Sequence, residues 1–249
     1  MATYGDRYII QGSNRVGVGS HLLVVDTKTP LISTLTIETL ASGQGFHMNN
    51  VNIGNKYEAT DTLPLVYCSE FYNQHTCKVL RIANDFNSFT EIQTISYNGT
   101  SIEGNYDWVV DADNNLIYVL AFTPNGIKML RFNLPSTSNA SVTLTDADIL
   151  GTINIPNTSG KTILAQGGTI INGKLWTVFG MDNSNYPGFL AVSDIEREEM
   201  VSFADLAGLG EAEAVSPYKE GVLLCVASGL VATGASLKNP SYLYMLFNH

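Results

Sequence analysis

Basic residues are scarce in this chain. Thirteen Lys and Arg stand against 23 Asp and Glu, giving a net charge of −10, and the few cations form no cluster able to neutralise a run of phosphates. A nucleic-acid partner is therefore not expected. Long apolar runs are missing as well. None approaches the ~20 residues of a membrane-spanning helix, and residues 1–20 show no basic segment followed by an apolar one. The expectation is a chain with no membrane insertion and no visible signal peptide, compatible with a virion, a cell-envelope assembly or the cytoplasm. Cysteine is limited to Cys68, Cys77 and Cys225, too few and too odd in number for a disulfide framework. Cys68 and Cys77 can face one another across a hairpin, although buried free thiols are the commoner state. His21, His47, His75 and His249 are scattered and give no zinc spacing. A Gly-x-Ser-x-Gly elbow and a Rossmann fingerprint are both absent, and Val16–Gly19 has no helix after it to hold an anion. No cofactor and no metal is expected. Asp111, Asp113 and Asn115 alternate like calcium ligands but lack the glycine and terminal Glu of such loops, and a strand-connecting turn explains them.

What is present is a two-residue apolar period. The runs are short, rich in β-branched and aromatic residues, and punctuated by Asn, Gly, Asp and Ser. They predict strands over 21–26, 33–38, 63–70, 77–82, 91–96, 116–122, 127–132, 149–155, 174–179, 188–193, 221–227 and 241–247. Turns are expected at Asp113–Asn115, Pro124–Gly126, Asn172-Gly173 and Lys219–Gly221. Helical character is confined to one turn at most, near Ala204–Leu209. The fold class is all-β, in a chain of 249 residues of which 45% are hydrophobic, enough for a large core. So many strands must dispose of their edges in a sandwich, a barrel or a propeller.

A repeat favours the propeller. A Gln or Glu followed by a small residue opens five successive stretches: Gln11-Gly12, Gln44-Gly45, Glu103-Gly104, Gln166-Gly167 and Glu213-Ala214, at intervals of 33, 59, 63 and 47 residues. These bracket the ~40 to 50 residues of a propeller blade. Counting the opening run, each unit offers about four strands. The fifth falls one short, and the N-terminal run Tyr4–Ile10 can supply the missing strand and close the ring. The expectation is a single domain over 1–249, a five-bladed β-propeller of four-stranded antiparallel blades. The small residue lets innermost strands approach closely. A two-domain β-sandwich is the rival, but no Pro-, Gly- or Ser-rich linker divides the chain.

Gln44-Gly45-Phe46, followed by Leu65–Ser69 and Lys78–Ile82, resembles the blade pattern of phage receptor-binding-protein propellers, a five-bladed family shared with teichoic-acid-associated proteins. Glu213-Ala214 with Tyr218 and Val222–Leu224 is similar to a later blade of that family, with Ala where Gly would be usual and without its Pro. The resemblance implies recognition of a cell-surface glycan or receptor, and it implies no reaction.

Propellers bind ligands at the axial mouth, which makes Gln11, Gln44, Glu103, Gln166 and Glu213 the first ligand-binding candidates. Amides both donate and accept, and carboxylates accept from paired sugar hydroxyls. Phe46, Tyr106, Trp108 and Tyr218 lie near these positions and can stack on sugar faces. The alternatives are that the polar groups merely satisfy one another and that Phe46 and Trp108 belong to the inter-blade core. The preferred function is a non-enzymatic recognition module for a cell-surface carbohydrate or polymer, plausible as part of a larger assembly with partner proteins. One rival is a glycoside hydrolase using Glu103 or Glu213, with Asp107 and Glu211 near, since such enzymes need two carboxyls across a bond. The other is a protein-interaction scaffold docking through loops near Ser136–Asp146.

Overall fold

The computed structural model describes residues 1–15, 19–29, 31–38, 48–70, 75–104, 106–180, 184–219, 221–227 and 241–247. The chain divides into two compact units, residues 1–121 with 128–153, and residues 122–127 with 154–249. Among the described residues the only helical element is a 3-10 turn, Asp146–Asp148.

In the first unit, sheet one runs β1 (Ala2–Tyr4), β2 (Tyr8–Arg15), β3 (Gly19–Asp26) and β4 (Leu31–Glu38) in sequence order. Sheet two contains β5 (Met48–Ile53), β6 (Val66–Glu70), β7 (Cys77–Ile82) and β8 (Phe89–Tyr97). Sheet three comprises β9 (Tyr106–Asp111), β10 (Leu116–Thr123), β11 (Gly126–Asn133) and, after a detour of the chain, β13 (Gly151–Pro156). The detour carries β12 (Ser141–Leu144), which leaves its own sheet and adds in parallel to β8, Ser141 opposite Thr94. Nothing in the two-residue apolar pattern announced that strand. In the second unit, sheet four is β14 (Ala165–Ile171), β15 (Lys174–Phe179), β16 (Phe189–Asp194) and β17 (Glu199–Asp205). Sheet five is β18 (Glu211–Tyr218), β19 (Gly221–Ala227) and β20 (Ser241–Phe247). The protein is thus all-β, and four of its sheets hold the four sequential antiparallel strands of a propeller blade.

The N-terminal run does not serve the last sheet. Tyr4 ends β1 and Tyr8–Ile10 begin β2, and the two strands pair with one another in sheet one, Ala2 opposite Ile10. Because β2 is also paired to β3 along its other side, both of its edges are occupied. The run is a hairpin of sheet one.

Sheet two is covered on both faces, which explains why every residue of β6 is buried. Tyr67, Cys77, Val79 and Ile95 face Trp108, Ile117, Leu130 and Phe132 of sheet three. Val66, Cys68, Leu80 and Ile82 face Ile10, Leu22 and Val24 of sheet one. Cys68 and Cys77 therefore sit in different cores on opposite faces of one sheet, and both thiols are free. Burial pushes the Cys68 thiol up to about 12. In the second unit, Val178 and Leu190 pack on Val215, Leu224 and Val226. The Asn172-Gly173 hairpin has the positive φ of 50° and 72° that its turn type demands.

Gly12 shows what the small residue does. A Cβ there would lie 2.6 Å from Met48 Sδ and 3.1 Å from a Val51 methyl, so its absence is what lets β5 lie against β2. Asp111 accepts bonds from the Asn114 backbone at 3.2 Å and side chain at 2.8 Å, and Asn115 adopts φ 56°, the geometry of a strand-connecting turn.

Candidate functional site

The first strand of three sheets breaks register near its start. The shift lies between Met48 and Asn50 in β5, between Ala165 and Gly167 in β14, and between Ala212 and Ala214 in β18. In each case one polar residue, Asn49, Gln166 or Glu213, drops out of the ladder and its side chain is re-aimed. Two of these are residues that the Gln/Glu-plus-small pattern singled out.

In the first unit Asn49 Nδ2 donates to Asp107 Oδ2 at 2.7 Å, bridging β5 to β9 of the next sheet. Asp107 is buried, at 1% exposure. Its other oxygen accepts from the Ser69 hydroxyl and from the Trp108 amide at 2.8 Å. Burial raises the Asp107 carboxyl above its ordinary range, against the pull of those hydrogen bonds. Asn50 Nδ2 donates to the Trp108 carbonyl at 3.1 Å, and the Val110 amide donates to Asn52 Oδ1 at 3.4 Å. Asparagine side chains thus tie two sheets together where backbone ladders cannot reach. This is a satisfied structural network rather than a ligand surface.

The second unit uses the same device with longer side chains and leaves it open to solvent. Gln166 Nε2 donates to Glu211 Oε1 at 2.6 Å and to the Gly180 carbonyl at 3.2 Å. Its amide oxygen has no donor among the described residues. Gln166, Glu211 and Glu213 are all only partly buried. Burial, then the charge of Glu211, pushes the Glu213 carboxyl up to about 7. Burial also raises Glu211, partly offset by the Gln166 hydrogen bond. Near neutral pH the cluster therefore offers an amide oxygen, a carboxylate and a carboxyl group that can still hold its proton, a mixed donor and acceptor set suited to hydroxyl groups.

The remaining candidates are dispersed. Gln11 is half-buried in β2. Gln44 and Phe46 lie outside the described residues. Glu103 is exposed in the loop before β9 and belongs to the first unit, whereas Glu213 belongs to the second. Tyr106 and Trp108 are corrected from sugar platforms to core: they are 7% and 1% exposed. The Tyr106 hydroxyl donates to the Tyr97 carbonyl at 3.1 Å, and Trp108 Nε1 to the His75 carbonyl at 3.0 Å. Tyr218 is also buried, with the Lys219 ammonium 5.2 Å from its ring centre. Five residues along β18, it lies about 16 Å from Glu213, too far to share a sugar ring with it. Asn49 and Asp107 are the positions that the repeat missed. The pattern placed the opening of the second unit at Gln44-Gly45, five residues before the register shift.

No family model matches the chain, and no curated protein matches it. Among solved structures, the chain is similar to one in a nidogen/laminin complex, with a TM-score of 0.44 and 12% identity over 88% of this chain and 67% of that one. It is similar to a chain of hydrazine synthase from Kuenenia stuttgartiensis, with a TM-score of 0.42 and 9% identity over 92% of this chain and 57% of that one. It is also similar to BamB from Moraxella catarrhalis, with a TM-score of 0.34 and 13% identity over 87% and 51%.

Proposed function

We propose that this protein is a non-enzymatic recognition module that binds a hydroxyl-rich surface polymer, a carbohydrate above all, through Gln166, Glu211 and Glu213. The observation that carries the proposal is the open amide–carboxylate pair, Gln166 to Glu211 at 2.6 Å, with Glu213 beside it and an amide oxygen left for a ligand. In the same proposal the five sheets are the blades of a propeller. Its setting is a phage particle or cell-envelope assembly. The support for this is the blade-like strand order of four sheets and the recurrence of the shift in the first strand of three sheets.

A glycan array tests the reading. Retention of a polysaccharide without release of product is expected, with Gln166→Ala weakening it about tenfold through loss of one charge-assisted contact network. Binding unchanged in that variant, or no retention of any glycan, overturns it. One observation favours hydrolysis as a second reading. A carboxyl held near 7 beside a second carboxylate is the arrangement of a general acid and its partner. In that case new reducing ends appear and Glu213→Gln abolishes them, with Glu211 as the companion carboxylate.

A further inference from the structure

The other end of β14 and β18 carries a groove of about 670 Å³ in the second unit, about 16 Å along the strands from Gln166. Its floor is one face of sheet four. Trp176, Val192 and Ser202 are cross-strand neighbours on β15, β16 and β17, so their side chains share that face. Trp176 is half-buried and its inner side packs on the apolar core of the unit, which leaves ring surface toward the groove. Pro217 forms part of the opposite wall, and the rim holds Asn172, Lys174 and Lys219 from the two hairpin turns.

The charge of this lining differs from that of the chain. In a protein with 23 acidic residues against 13 basic ones, the groove contains, among the described residues, two lysines and no Asp or Glu. Lys174 is paired to Asp194 at 3.0 Å. Lys219 is exposed, is held at φ 52° by its turn, and among the described residues makes no ion pair. Its ammonium rests 5.2 Å from the Tyr218 ring centre, and among the described residues of the groove it is the cation without a carboxylate partner.

We propose that this groove binds an acidic sugar, a pyranose ring bearing a carboxylate. The ring stacks its C–H face on Trp176, its hydroxyls meet Asn172 and Ser202, and its carboxylate pairs with Lys219. A sheet face favours this occupant over an extended peptide. Peptides that add to sheets do so at an edge, where backbone donors and acceptors are unpaired, whereas this floor presents only side chains. The volume falls within the range of small-molecule sites.

The fluorescence of Trp176 gives the test, because the only other tryptophan, Trp108, is buried in the first unit. The full chain is titrated at low salt with oligogalacturonate, a neutral maltooligosaccharide and poly-glutamate. A saturable change with oligogalacturonate alone is expected. The change should be absent in Trp176→Phe and weakened about tenfold in Lys219→Gln, an exposed turn position whose replacement leaves the core untouched. Gln166→Ala should leave the titration unchanged, which separates this site from the cluster at the other end of the strands. The proposal is overturned by no saturable change, by equal response to the neutral sugar or to poly-glutamate, by an unaltered titration in Lys219→Gln, or by loss of the signal in Gln166→Ala.

Discussion

Glu213→Gln is a direct test of the second unit's electrostatics. A free glutamate titrates near 4.5, and burial beside Glu211 moves Glu213 to about 7. Between those values the folded state holds a proton that the unfolded state has lost, so stability must fall as pH rises through the window and stay lowered above it. At about 1.36 kcal/mol for each pH unit, the loss comes to ~3 kcal/mol by pH 8. Glutamine keeps the shape and removes the titration. Relative to the parent protein, the variant should be near neutral at pH 4.5, gain steadily from there to pH 7, and be more stable by ~3 kcal/mol at pH 8. Urea unfolding at a series of pH values measures the difference. Asp26, Asp146 and Asp205 are held below their ordinary values by hydrogen bonds and destabilise the fold when acidified; that background is common to both proteins and cancels. A constant offset between the two curves from pH 4.5 to 8, or a variant less stable at pH 8, would refute the account of Glu213.

Asp107→Ala should lower stability by about 2–4 kcal/mol in denaturant titration, because the buried Ser69 hydroxyl loses its acceptor, the Trp108 amide is left with only the Ser69 oxygen at 3.1 Å, and Asn49 loses its anchor; Asp107→Asn, which keeps one acceptor, should cost less. Gly12→Val should cost about 1–3 kcal/mol by thermal unfolding, since even its Cβ would lie 2.6 Å from Met48 Sδ. Gly12→Ala should be milder, because the flexible thioether of Met48 can give way.

The fold class was legible because period-two patterning and turn residues are local properties. Asn172-Gly173 specifies its own positive φ values, and β15, β16 and β19 fall within a residue or so of the expected ranges. What pairing required of distant partners was not legible. The segment Tyr4–Ile10 is apolar enough to join any sheet, and it is its own hairpin that takes it. At the candidate site the dipeptide pattern found Gln166 and Glu213 because in those two strands the re-aimed polar side chain is followed by a small residue. It missed Asn49 because Asn50, with its own bond to the Trp108 carbonyl, occupies the small residue's place. Tyr106 and Trp108 could not be told from exposed platforms by sequence, since stacking aromatics and core aromatics are the same residues under different burial.

The strand β12 makes assembly of the first unit non-sequential. It lies 47 residues beyond its partners in β8, past three strands of another sheet, and Gln93 fastens its approach by donating to the Ser136 and Asn139 carbonyls at 2.7 and 2.8 Å. During synthesis at ~5 to 20 residues per second, β8 would wait some seconds with an unprotected edge. Once in position, β12 staples the second meander to the third, so neither can open alone and both should share one level of amide protection in hydrogen exchange.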